Sequence, residues 1–161
     1  NGSVGSGLGS SASSAVAAVY GINYLLKKNL QKIDLINHAV EGEAYASGQA
    51  HADNIAPTMF GGFTLVRDLS SLDILKLPYP NDLFITIIHP GIEIKTSKSR
   101  EITNKKIPMN KVIKQTANLG GLICGLYSNN YELISRCLFD EIVEEHRAAF
   151  IPSYYLSLIH I

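Results

Sequence analysis

Apolar and polar positions change their spacing several times along the chain, and each change marks an element. Residues 10–26 are mostly small or apolar. The run Ser13-Ser14-Ala15-Val16-Ala17-Ala18-Val19 within them predicts a tightly packed helix. Lys27-Lys28-Asn29 is a polar break. A second helix is predicted over residues 31–46, with Ile33, Ile36 and Val40 marking its apolar face. Gly61-Gly62 turns the chain into Phe63-Thr64-Leu65-Val66-Arg67, a predicted strand, and residues 74–77 read as a second short one. Leu83-Phe84-Ile85-Thr86-Ile87-Ile88 is strongly β in character and mostly apolar, which predicts a central strand. Ile92-Glu93-Ile94-Lys95-Thr96 alternates as a half-buried strand does.

Beyond the basic patch Lys105-Lys106, Asn110 is the expected cap of a helix through Val112, Ile113, Thr116, Ala117 and Ile123. Gly120-Gly121 in its middle allows close packing, at about 1 kcal/mol of helix propensity per glycine. A last helix is predicted over residues 130–149, with Ile134, Leu138 and Ile142 on one face and Glu141, Glu144 and Glu145 toward solvent. The whole reads as an α+β chain, an α/β two-layer arrangement. Pro78-Tyr79-Pro80-Asn81-Asp82 is a rigid, turn-rich boundary between a unit 1–78 and a unit 79–155. Residues 156–161 follow no period and are expected to be a non-native tail.

Composition narrows the function. Of 161 residues, 46% are hydrophobic and 17% charged, which fits a packed core rather than a disordered chain. Fourteen basic residues balance fourteen acidic ones, so no net field favours nucleic acid or an anionic membrane. No apolar run reaches the length of a membrane span. Cys124 and Cys137 both fall in helical patterns and are expected as reduced core or boundary residues of a cytoplasmic protein.

The chemistry starts at Val4-Gly5-Ser6-Gly7-Leu8-Gly9-Ser10-Ser11-Ala12. A glycine loop feeding a helix N-terminus gathers unpaired N–H groups and the positive end of the macrodipole, which suits phosphate. A Walker A loop ends in Gly-Lys-Ser/Thr, and no lysine precedes Lys27. The dinucleotide pattern fits Gly7, Gly9 and Ala12, but its acid, Asp34, lies in helix-like sequence rather than at a strand end. A plain Gly/Ser linker is disfavoured by the apolar helix directly behind the loop.

Three other segments carry candidate chemistry. Glu43 lies seven residues beyond Ile36 and three beyond Val40, on the inward helix face, while Glu41 reaches solvent. An inward acid is paired, protonated or bound to a cation, and Mg²⁺ takes one or two carboxylates with phosphate oxygens and water. Between Ser47 and Pro57, His51, Asp53 and Asn54 cluster as substrate contacts or as a helix cap ahead of Ile55. A zinc site there would need His38 as a further ligand. Arg100, after Thr96-Ser97-Lys98-Ser99, can clamp a carboxylate bidentately or lie on an exposed helix face.

As an ordered set, these segments resemble the homoserine-kinase branch of the GHMP small-molecule kinases. The set is V-G-S-G-L-G-S-S-A, E-G-E at Glu41 to Glu43, S-G-x-x-H-A-D-N at Ser47 to Asn54, G-G-F at Gly61 to Phe63, and T-S-x-S-R at Thr96 to Arg100. The resemblance implies a two-domain GHMP-kinase-like fold, truncated at both ends of this chain. It implies that Val4 to Ala12 hold the phosphates of ATP, that Ser11 and Glu43 hold Mg²⁺, and that His51, Asn54, Thr96 and Arg100 contact L-homoserine. Arg100 would take the amino acid's carboxylate. Many GHMP kinases carry an aspartate near the position of Asn54. An amide cannot accept a proton, so the implied mechanism is direct in-line attack of the hydroxyl on the γ-phosphate, with catalysis assigned to Asn54 and Glu43 by positioning and charge neutralisation. Ser3 stands where the family usually has a proline. The implied partners are ATP and the amino-acid substrate, without nucleic acid or membrane, and a homodimer stands as a candidate assembly. A different small alcohol as acceptor, or an inactive nucleotide-binding fragment, are the alternatives.

Overall fold

A computed structural model describes residues 9–47, 51–87, 106–151 and 154. Two compact units divide the chain between Tyr79 and Pro80.

In the first unit, helix α1 (Ser10–Leu25) begins directly after Gly9, whose φ of 73° and ψ of 36° lie in the left-handed region that glycine enters without a Cβ penalty. Ala12 and Val16, one turn apart, face the core. Helix α2 (Lys32–Ser47) lies against α1 so closely that a Cβ on Gly42 would sit 3.6 Å from that of Ala15. It buries Leu35, Ile36, Ala39 and Val40, while Ile33 is 37% exposed. The apolar face is thus rotated from the predicted one, because Leu35 and Ala39 share it with Ile36 and Val40. Asn23 fastens the connection between the helices: its side chain donates to the Leu30 carbonyl (3.3 Å) and accepts the Leu30 N–H (3.1 Å).

Helix α3 (Ile55–Phe60) follows and buries Ile55, Ala56 and Met59, with Ile55 and Met59 in the same core. Strands β1 (Phe63–Asp68) and β2 (Asp73–Leu77) form an antiparallel hairpin in the register Phe63↔Leu77 and Leu65↔Leu75, with an irregularity between Val66 and Asp68. Val66 and Ile74 of the hairpin, with Leu69 and Leu72 of its turn, cover the helical core. Asp68 holds that turn, accepting the Ser70 N–H (3.1 Å) and the hydroxyls of Ser70 and Ser71 (2.8 and 2.6 Å).

The second unit contains helices α4 (Met109–Ser128), α5 (Tyr131–Cys137) and α6 (Glu144–Ala148). Three expectations are corrected here. Pro108, not Asn110, is the N-cap residue of α4; it has no N–H to leave unpaired, which suits a helix start. The predicted helix over 130–149 is interrupted between α5 and α6. Asp140 accepts the N–H groups of Ile142 (2.9 Å) and Val143 (2.8 Å), and Gln115 accepts that of Glu141 (2.8 Å), so side chains take the donors a continuous helix would use. The same arrangement pulls Glu141 inward to pair with Lys114, leaving its side chain only 12% exposed rather than on the solvent side.

Residues 83–87 form no strand, and Phe84 and Ile85 are 89% and 71% exposed. The side-chain pattern is that of a strand, but a strand is made by a neighbour's backbone, and among the described residues β1 and β2 pair only with each other. The strand predicted over 92–96 and the tail 156–161 lie outside the described residues. Asn130 caps α5 by accepting the Leu133 N–H at 3.0 Å. Cys124 is exposed, not buried as a core residue; Cys137 is half-buried, and neither forms a disulfide. Among the described residues no helix is long and apolar enough to cross a membrane.

Candidate active site at the start of helix α1

The first turn of helix α1 contains no acidic residue of its own. Among the described residues no side chain caps it. The serines are committed elsewhere. Ser13 donates its hydroxyl to the Gly9 carbonyl (3.1 Å) and Ser14 to the Ser10 carbonyl (3.1 Å). The leading N–H groups, uncapped by any side chain among the described residues, lie at the positive end of the helix.

Ser11 is turned the other way. Its hydroxyl donates to Oε1 of Glu43 on α2 at 2.9 Å. The i, i+3 and i, i+4 spacing of Glu43 from Val40 and Ala39 brings it over the buried face of α2, as the sequence pattern predicted. Its other oxygen, Oε2, is buried and has no hydrogen-bond partner among the described residues. A buried carboxylate oxygen without a donor is costly, and a cation would offset that cost. One carboxylate and one hydroxyl suit Mg²⁺, which completes its shell with phosphate oxygens and water. They do not suit zinc. No group of three or more His, Cys, Asp or Glu side chains gathers among the described residues, and His38 instead lies 3.9 Å from Glu41.

Asn54 comes to the same place from the opposite side. It is the N-cap residue of α3, but its side chain makes no capping bond; Asp53 accepts the Asn54 N–H at 3.1 Å. The Asn54 side chain lies against Gly9, where a Cβ would stand 3.2 Å from Oδ1 and 3.3 Å from Cγ. The absence of a side chain at Gly9 is what lets an amide on α3 approach the start of α1. Gly9, Ser10, Ser11, Ala12, Glu43 and Asn54 thus converge. His51 is exposed, two residues before Asp53. Val4, Gly5, Ser6, Gly7, Leu8, Thr96 and Arg100 lie outside the described residues.

Two lysines on the periphery carry no signal in the sequence. Lys32 Nζ donates to the Met59 carbonyl (3.0 Å) and Lys76 Nζ to the Phe60 carbonyl (3.3 Å). No local pattern links a lysine to a carbonyl 27 residues away. A cavity of about 590 Å³, lined by Val19, Ile22, Leu26, Leu30 and Leu35, opens beside the far end of α1 and is not part of this site.

Residues 1–62 match the family model of the GHMP kinases N terminal domain. The chain is 44% identical over 150 residues to homoserine kinase of Chlorobium phaeobacteroides, a match covering 93% of this chain and 47% of that protein. It is 39% identical over 151 residues to homoserine kinase of Methanococcus vannielii, covering 93% and 49%. The crystal structure of homoserine kinase from Cytophaga hutchinsonii superposes with a TM-score of 0.91 at 48% identity, covering 96% of this chain and 49% of that one. The fold is accordingly the α+β, GHMP-kinase-like one, and the chain spans about half the length of the relatives it matches.

Proposed function

We infer that this chain is part of a homoserine kinase of the GHMP family, a protein that transfers the γ-phosphoryl group of ATP to the hydroxyl of L-homoserine and so serves threonine biosynthesis. The observation that carries this reading is Glu43: one oxygen is held by Ser11 at the head of α1, and the other is buried without a partner. The likeness to homoserine kinases along nine tenths of the chain supports the choice of acceptor.

In this reading the backbone of residues 4–12 holds the phosphates of ATP, with the leading N–H groups of α1 as the described part of that cradle. Ser11 and Glu43 would hold Mg²⁺, which when bound neutralises charge on the phosphate oxygens. Ser11 keeps the carboxylate turned toward the helix start. Asn54 orients the acceptor hydroxyl from the α3 side, His51 and Thr96 contact the rest of the amino acid, and Arg100 binds its carboxylate. Since the side chain at 54 is an amide, no strong base stands at that position. Rate enhancement then comes from in-line positioning and from charge stabilisation. Two free cysteines fit a cytoplasmic setting.

The test is Mg²⁺-dependent ADP release by the full-length protein with L-homoserine, mevalonate, galactose or no acceptor, measured in parallel. Turnover with homoserine alone supports the reading. Turnover with another alcohol retains the loop and the metal but removes the roles given to His51, Asn54, Thr96 and Arg100.

A further inference from the structure

We propose that Lys32 and Lys76 are positioning residues that hold Asn54 against the phosphate loop by anchoring the far end of α3; the proposal rests on the acceptor role given to Asn54 above.

Helix α3 has only six residues, too few to stand alone in water. Its last carbonyls lack helical partners, as at every helix end. Two of them are taken by lysines from different elements: Met59 O by Lys32 of α2, and Phe60 O by Lys76 of β2. Both ammonium groups lie at the negative end of the helix, where positive charge is favourable. The opposite end is Asn54, and there the fit is tight, with the Asn54 side chain against the open face of Gly9. Buried Ile55, Ala56 and Met59 fix the body of α3 in the core. The two lysine bonds hold its last turn, where that burial ends at Met59. Losing them lets the last turn fray and frees Asn54 to shift from the place where the acceptor hydroxyl must be oriented.

The role separates acceptor from nucleotide. Ser11, Glu43 and the head of α1 make no contact with either lysine in the hydrogen bonds described, so binding of ATP should not depend on them. In the full-length protein, Lys32→Met and Lys76→Met are expected to raise the acceptor KM about fivefold each, the size of one charge–dipole interaction, with the KM for ATP unchanged. Lys32→Arg, which also donates, is expected to restore the acceptor KM. Hydrogen exchange of residues 55–60 should quicken in the Lys32→Met, Lys76→Met double variant. Equal changes in both KM values, or none, would overturn the proposal, since a merely structural role lowers stability without favouring one substrate. If the unmodified protein turns over a different alcohol, the homoserine reading fails and the same split is measured on that alcohol. If it turns over none, unchanged exchange across residues 55–60 overturns the lysine proposal independently.

Discussion

Ser11 and Glu43 stand 32 residues apart in the chain, and the serine hydroxyl donates to the carboxylate at 2.9 Å, leaving the second carboxylate oxygen buried without a partner. Ser11 engages one oxygen, and a cation would offset the cost of burying the other. Glu43→Gln keeps an oxygen for Ser11 but removes the negative charge. Mg²⁺-dependent turnover of the full-length protein is expected to fall on the order of a hundredfold, the scale of losing one charge-stabilising group, with a higher Mg²⁺ concentration needed for half-maximal rate. The thermal midpoint in metal-free buffer should stay close to that of the unmodified protein. Unchanged turnover across a Mg²⁺ titration would remove Glu43 from the reaction.

Gly9 meets two demands at once. Its φ of 73° costs an L-residue about 1–2 kcal/mol. A methyl group there would also press on the Asn54 side chain at 3.2 Å. Gly9→Ala is therefore expected to cost about 1–2 kcal/mol of stability, to raise the acceptor KM as Asn54 is displaced, and to weaken nucleotide binding as the head of α1 shifts. Steady-state kinetics with each substrate varied in turn would measure both kinetic effects, and an unaltered acceptor KM would show that Asn54 does not need that contact.

What was legible in the sequence differs between the two units for physical reasons. Around Gly9, local signals agree: small residues behind a glycine predicted α1, and the spacing from Val40 predicted that Glu43 faces inward. The convergence of Gly9 with Asn54 was not readable from spacing, because it is made by a tertiary approach across 45 residues of chain; it entered only through the family resemblance. In the second unit the periodicity of 130–149 was real, yet Asp140 and Gln115 capture the backbone donors that would have continued the helix. Residues 83–87 have the side chains of a strand but no pairing neighbour among the described residues. Propensity states what a segment accepts, and the partners decide what it becomes.

Asp68 gives a pH signature to the β1–β2 turn. Hydrogen bonds from Ser71 and Ser70 hold its carboxyl below the usual range. A folded-state pKa below the unfolded one adds stability above the unfolded value of about 3.9, and that stability is lost as pH falls through the lower folded value. Asp68→Ala is expected to lower the thermal midpoint at neutral pH, with the gap from the unmodified protein closing on the acid side of about pH 4. A gap independent of pH would mean that the turn is held by geometry and not by the ionised carboxylate.

Helix α4 carries Gly120, Gly121 and Gly125, and the same substitution is expected to have opposite signs along it. A Cβ on Gly120 would meet nothing within 4 Å. Gly120→Ala should gain the propensity difference, about 0.5–1 kcal/mol of stability. On Gly125 the Cβ would fall 2.9 Å from Cγ1 of Ile134, 3.1 Å from its backbone nitrogen and 3.3 Å from the Asn130 carbonyl. A side chain can turn aside, but the backbone that begins α5 cannot move without losing the Asn130 cap. Gly125→Ala should therefore cost about 1–3 kcal/mol despite its better helix propensity. Gly121 lies between these cases: its Cβ would meet Sγ of Cys137 at 2.5 Å, the end of a short side chain at the last residue of α5. Gly121→Ala should be destabilising as it stands and should recover when Cys137→Ala is added. Urea unfolding of the three alanine variants and the double variant would read the order, and a stabilised Gly125→Ala would show that α5 does not dock on α4 as described.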